Sequence, residues 1–396
     1  MRVLVNAATL VVGGAVQVAV ATIRESFLDP ASEDWHFVVS AQVMKNLEIP
    51  RGVASSRFHV CSSSPARSWA ERRRIAAIEK ALKPSATFTV FGPAFVRFES
   101  PHLMGCANGW VTHPSPLALQ TQPGFIRRTG RIARSWYAST WLRKADCWVT
   151  ETESARYGMA ERLGIPYDKI AVVSNTCARH YLEQQRSVRF PDARERLRFL
   201  CFAAGYPHKC LDLVPDVARA LLVRFPDRMF EFVLTLPPDS MIWRSIQRRA
   251  HELGVSDRVC NVGTVPVSCG PEVYQSCHLT FLPTVLETFS ATYPESMAMG
   301  LPIVTSDLDF ARDICGSSAV YFSPRDADDA ADAIARLLQN RQRWQELVIG
   351  GRERLQSLPS PSQKYLAYRE LIERLVANRS FQDFEVPATP LEANAA

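Results

Sequence analysis

At 396 residues the chain is too long for one ordinary hydrophobic core, so two or three domains are expected. Its composition, 47% hydrophobic and 22% charged with no low-complexity tract, is that of a globular protein and excludes a fibrous or wholly disordered chain. The net charge of +6 selects no class of partner, and ten cysteines without a CxxC pair read as reduced core thiols, not a zinc site or disulfide framework.

The mostly apolar run from Arg2 to Ile23 faintly resembles a signal peptide, but Asn6, Thr9, Gly13, Gly14 and Gln17 interrupt it. It parses better as a strand at 2–8, a turn at Gly13-Gly14 and a helix at about 15–27. No other segment approaches the ~20 apolar residues that a membrane-spanning helix needs. Strands are expected next at 35–40, 58–61, 86–91, 102–106, 147–150 and 170–173, with helices at 66–82, 125–144 and 153–163. This rhythm predicts a mostly parallel sheet covered on both faces. A polar, Arg-rich stretch at 179–196 breaks the pattern and reads as a linker. A second β/α series follows, with strands at 198–205, 230–236, 259–262, 279–282, 302–305 and 319–322. The predicted organisation is therefore an α/β domain at 1–180, a second at 197–361, a last helix at 362–379 and a disordered tail at 380–396.

The segment Glu287-Thr288-Phe289-Ser290-Ala291-Thr292-Tyr293-Pro294-Glu295 sits between the apolar strand at 279–282 and Ser296-Met297-Ala298-Met299-Gly300-Leu301-Pro302-Ile303-Val304. It reads as strand, turn, helix, glycine stop and strand. The first acid then lies at the carboxyl end of a strand and the second about one turn into a helix, in the crevice where open α/β sheets bind ligands. A second account of Glu295 stays open, since Thr292-Tyr293-Pro294-Glu295 also matches a capping box.

Together with the Gly13-Gly14 turn and Lys209 after the first strand of the second half, this segment resembles the retaining GT-B glycosyltransferases, in particular glycosyltransferase family 4. Tyr206-Pro207-His208-Lys209, Val172-Val173-Ser174-Asn175-Thr176 and the stretch from Cys315 through Gly316 to Pro324 support the resemblance, which runs from residue 1 to about 378. It implies two Rossmann-like domains facing a cleft, with the last helix returning to the first domain.

The resemblance further implies a nucleotide-sugar donor of UDP or GDP type and retention of anomeric configuration. Glu287 is implied at the transferred sugar and Glu295 at the ribose diol. Lys209 and the backbone of Phe289, Ser290 and Ala291 are implied at the diphosphate, and Gly13 and Gly14 where the first domain approaches the donor. The plain alternatives are a solvated Lys209 at a strand end and an ordinary glycine turn. This chain departs from the commoner pattern in two places. Thr288 and Ser290 stand where glycines are usual, and the usual arginine before Lys209 is missing or replaced by His208.

His113, after the fifth strand, is implied near the sugar, or is a structural loop histidine. Asp307-Leu308-Asp309 reads as an ordinary loop and not a metal-binding motif, so no metal and no cofactor are expected. Neither GxGxxG nor a Walker pattern is present, which argues against nicotinamide or P-loop chemistry. Arg127, Arg128, Arg131, Arg134, Arg143 and Lys144 interleave with Phe125, Trp136, Tyr137 and Trp141 across 125–144. That stretch is either an anionic-membrane docking surface or a solvated helix. No nucleic-acid module accompanies the charge. The expected activity is hexosyl transfer to a hydroxyl of a surface glycan or lipid-linked saccharide, in the cytoplasm or on the inner face of the plasma membrane. A nucleotide-sugar epimerase of the same fold and a non-catalytic glycan-binding relative are the alternatives.

Overall fold

Alternating strands and helices build two separate parallel sheets, one of seven strands and one of six. The computed structural model describes residues 1–184, 189–192 and 194–386, which cluster into two units. The first unit comprises Met1–His113, Thr129–Thr176 and the described residues from Pro359 onward. The second comprises Pro114–Arg128 and Cys177–Leu358.

Strands of the first unit are β1 (Val3–Ala7), β2 (Trp35–Ser40), β3 (Phe58–Cys61), β4 (Ala86–Thr89), β5 (His102–Cys106), β6 (Cys147–Thr150) and β7 (Ile170–Val172). Their spatial order is β3-β2-β1-β4-β5-β6-β7, so the winding reverses between β1 and β4. Side chains of β1 alternate between two cores. Val3 and Val5 join Phe37 and Phe88 on one face, while Leu4 joins Val38, Met104 and Trp148 on the other. Both faces are apolar because crossover helices cover both. Three polar side chains run through the middle of this sheet: Asn6 donates to Thr89 Oγ1 (3.2 Å), which lies 2.8 Å from His102 Nε2.

The helix Pro361–Val376 opens on a Ser360/Gln363 capping box and belongs to the first unit. Its Tyr365 packs on Trp35 with ring centroids 5.7 Å apart, and its Tyr368 on Phe88 at 4.9 Å. Beyond it, Phe381 is 2% exposed and its amide donates to the Asp168 carbonyl (3.1 Å). Phe384 and Val386 pack on the same core. These residues lie in the tail for which the sequence, lacking periodicity, predicted no order. The expectation fails for 381–386 because single aromatics can anchor an irregular segment; residues 387–396 lie outside the described residues.

Strands of the second unit are β8 (Leu197–Cys201), β9 (Phe230–Leu234), β10 (Val259–Asn261), β11 (Leu279–Leu282), β12 (Ile303–Ser306) and β13 (Ala319–Phe322). Their order, β10-β9-β8-β11-β12-β13, repeats the first sheet's pattern and reverses between β8 and β11. Leu279 pairs with Phe199 across that reversal. Of the stretch expected as a linker, Arg179–Leu182 is one helical turn with Tyr181 buried, and residues 185–188 and 193 lie outside the described residues.

Candidate active site

Because the winding of the second sheet reverses between β8 and β11, the segments leaving their carboxyl ends splay to opposite sides and leave a crevice between them. The segment after β8 carries Lys209 and the one after β11 carries Glu287. Tyr206 is extended, Pro207 opens a short 3₁₀ turn through Lys209, and Cys210, with a left-handed backbone (φ 52°), ends it. The His208 carbonyl accepts from the Val285 amide (2.9 Å) and from Thr284 Oγ1 (3.2 Å). These bonds stitch the turn to the loop after β11. Lys209 Nζ and Glu287 Oε1 form an ion pair, and Thr284 Oγ1 lies 3.4 Å from that carboxylate oxygen. Each of the paired side chains is only 14% exposed, so the pair is held in a fixed place.

Between the two acids the chain is buried. Phe289 packs with Tyr293, Met297 and Ile303, so its side chain is core and only its backbone is available to a ligand. Ser290 is 3% exposed, and Ala291 is the N-cap of the helix Thr292–Ala298, with no side-chain cap. Thr292 is thus the first helical residue, and its Oγ1 donates to the Phe202 carbonyl (3.0 Å). The capping-box account of Glu295 is not realised. Instead, Glu295 Oε2 accepts from the hydroxyl of Tyr274 (2.7 Å), a residue of the helix Gly270–Gln275. Burial pushes the Glu295 carboxyl up to about 7, against the Tyr274 hydrogen bond and the charge of Lys209, which favour its ionised form.

Lys209, on the segment after β8, and Glu287, Phe289, Ser290, Ala291 and Glu295, on the segment after β11, therefore all belong to the second unit. Gly13, Gly14 and His113 belong to the first. Gly13 is the N-cap of the helix Gly14–Phe27 after β1, with φ 69°, a conformation that favours glycine. A Cβ at Gly13 or Gly14 would meet nothing within 4 Å, so both offer open backbone beside the reversal in the first sheet. His113 follows the short helix Gly109–Thr112, and its Nδ1 lies 2.7 Å from Thr112 Oγ1.

The histidine proposed as a second cation is stacked: the His208 ring lies 5.5 Å from Tyr206 at 7°. Arg325 reaches the neighbouring Cys210 Sγ (3.3 Å) and pairs with Asp212 (3.2 Å). Asp307 is engaged by both Arg312 Nε (2.5 Å) and Nη2 (2.7 Å), and Asp309 begins a helix. Among the described residues no group of three His, Cys, Asp or Glu side chains is placed to hold a metal ion. Sequence reasoning missed Thr284 and Tyr274. Thr284 lies inside the motif region but its partner is 76 residues away, and Tyr274 gives no local signal.

Residues 196–340 match the family described as glycosyl transferases group 1. A D-inositol 3-phosphate glycosyltransferase of Nocardia farcinica is 28% identical over 150 residues, 36% of this chain and 33% of that protein. The curated relatives are matched over less than half of their own length. A glycosyltransferase of Rickettsia africae superposes with a TM-score of 0.68 at 13% identity, covering 95% of this chain and 99% of that one. An Anabaena protein, HepE, in complex with UDP and glucose gives 0.67 at 13% identity, covering 94% and 99%. At such identities the structures establish a shared fold, and the sequence match covers the part of the second unit that holds Lys209, Glu287 and Glu295. The protein therefore has the GT-B fold, and residues 196–340, within its second unit, are similar to glycosyl transferases group 1.

Proposed function

We propose that the protein is a retaining glycosyltransferase that moves a hexosyl group from a UDP- or GDP-type sugar to a hydroxyl of a surface-glycan or lipid-linked saccharide acceptor, without a metal. The observation that carries this reading is the Lys209–Glu287 pair at the reversal of the second sheet, with Glu295 eight residues on. Glu287 accepts from the transferred sugar and Glu295 from the ribose. Lys209 and the backbone of Phe289, Ser290 and Ala291 meet the diphosphate between them. Gly13, Gly14 and His113 supply the first unit's contacts to the donor sugar.

As the bond from the anomeric carbon to the phosphate oxygen breaks, negative charge grows on the leaving diphosphate, and Lys209 stabilises it. The acceptor oxygen bonds to the same face of that carbon, and its proton passes to the leaving phosphate oxygen. No carboxylate nucleophile is needed, so both glutamates act by positioning. The helix Phe125–Leu142 is our proposed contact with an anionic membrane surface, at the cytoplasmic face. It exposes Phe125 (80%), Ile132 (54%) and Trp136 (68%) along one stripe, with arginines beside it.

The decisive experiment incubates the protein with UDP- and GDP-hexoses and a panel of saccharide acceptors, with and without EDTA. Acceptor-dependent nucleotide release that survives EDTA is expected. Conversion of the donor without acceptor would mean an epimerase, and no release under any condition would leave a binding protein.

A further inference from the structure

Tyr274 has no exposed surface, yet its hydroxyl ends on the one carboxylate of the site that is not already paired with a lysine. A fully buried tyrosine is held by what surrounds its ring. Here Tyr181 stands edge-on at 5.4 Å and Phe202 lies tilted at 5.3 Å. Tyr181 passes so close to Gly270 that a Cβ there would lie 2.1 Å from its hydroxyl oxygen. That glycine opens the helix carrying Tyr274, so the helix and the supporting ring fix each other. Thr292 does not cap the helix: its Oγ1 donates to the Phe202 carbonyl and also lies beside the Tyr274 hydroxyl.

We propose that Tyr274 is a positioning residue for nucleotide binding: its hydroxyl holds one oxygen of Glu295 so that the other accepts from the ribose diol. The inference rests on Glu295 being the ribose ligand. Both hydroxyls of a ribose donate, an ionised carboxylate accepts them more strongly than a neutral acid does, and a partly buried carboxylate is ionised only at a cost. The charged and titratable groups that face Glu295 are Tyr274, Tyr181, Cys177 and Lys209, with Glu272 beside Tyr181. Of these, Lys209 is already bonded to Glu287, and Tyr274 supplies the direct hydrogen bond. Removing its hydroxyl leaves the ring packing intact and moves the acid's ionisation to higher pH.

Calorimetric titration of UDP and GDP from pH 6 to 9 tests this on the wild type, Tyr274→Phe, Glu295→Gln and Tyr181→Phe, each checked by thermal melting. Tyr274→Phe is expected to weaken the preferred nucleotide about ten-fold at pH 7 and to regain most of that affinity at pH 9. Glu295→Gln should weaken it to the same extent at both pH values, and Tyr181→Phe should match the wild type. A Tyr274→Phe affinity equal to wild type at pH 7, or a loss that is the same at every pH, overturns the positioning role while leaving Glu295 at the ribose. An unchanged Kd in Glu295→Gln removes the underlying reading, and the proposal with it.

Discussion

The resemblance implies Lys209 at the donor's diphosphate and Glu287 at its sugar, and the structure pairs the two side chains directly. A buried ion pair is weak evidence for stability, because desolvation offsets attraction, while deleting one member strands the other's charge. The pair therefore separates two effects that single substitutions confuse. Lys209→Met should lower turnover by about 10²–10³-fold and also lower the melting temperature. Adding Glu287→Leu should restore melting without restoring turnover. A double variant that regains activity would show the lysine's role to be structural. The contact could not have been read from the motif, because it spans 78 residues and exists only through the order of β8 and β11.

At the scale of elements, the strands were the most legible part of the chain. Parallel strands buried on both faces appear as short continuous apolar runs, and those at 35–40, 58–61 and 279–282 fall where they were expected. Boundaries shifted where a side chain intervened. The helix expected from residue 66 begins at Trp69 because Ser68 caps it through the Glu71 amide. Helix Gly270–Gln275, which carries Tyr274, is too short to show a period, so its role stayed hidden. The helix Phe125–Leu142 shows the opposite case. Its composition was conspicuous, but only the fold reveals that Phe125, Thr129, Ile132 and Trp136, at spacings of four, three and four, form an outward stripe. Sedimentation with vesicles should find binding to phosphatidylglycerol-containing membranes that falls at least ten-fold on replacing Phe125 and Trp136 by serine. Equal binding by that variant, or binding only to neutral vesicles, would dismiss the docking surface.

For the molecule as a whole, the polar thread through the first sheet makes stability depend on pH. His102 is 2% exposed, and burial pushes its imidazole down to about 3. The unfolded chain takes up a proton near the ordinary value of 6.5 that the folded chain refuses. Stability is therefore complete above pH 6.5 and declines as pH falls below it, by at most about 1.4 kcal/mol per unit for this one group. Urea unfolding between pH 7 and 5 should show that slope, and it should flatten in His102→Leu even if the variant is less stable throughout. An unchanged slope would assign the acid sensitivity to other groups.

The chain leaves the first unit after Thr176 and returns to it at Pro359. Within that unit, Lys364 Nζ donates to Asn175 Oδ1 at 2.8 Å, so the points of departure and return are tied side by side. Most of the second unit is thus a loop inserted between neighbouring anchors. Such an insertion can be exchanged for another without rethreading the host sheet, because the distance its ends must span is already set. Evolution could then reassort the module bearing Lys209, Glu287 and Glu295 independently of the scaffold that carries Gly13 and His113. One lineage of such modules could in this way be matched to many scaffolds.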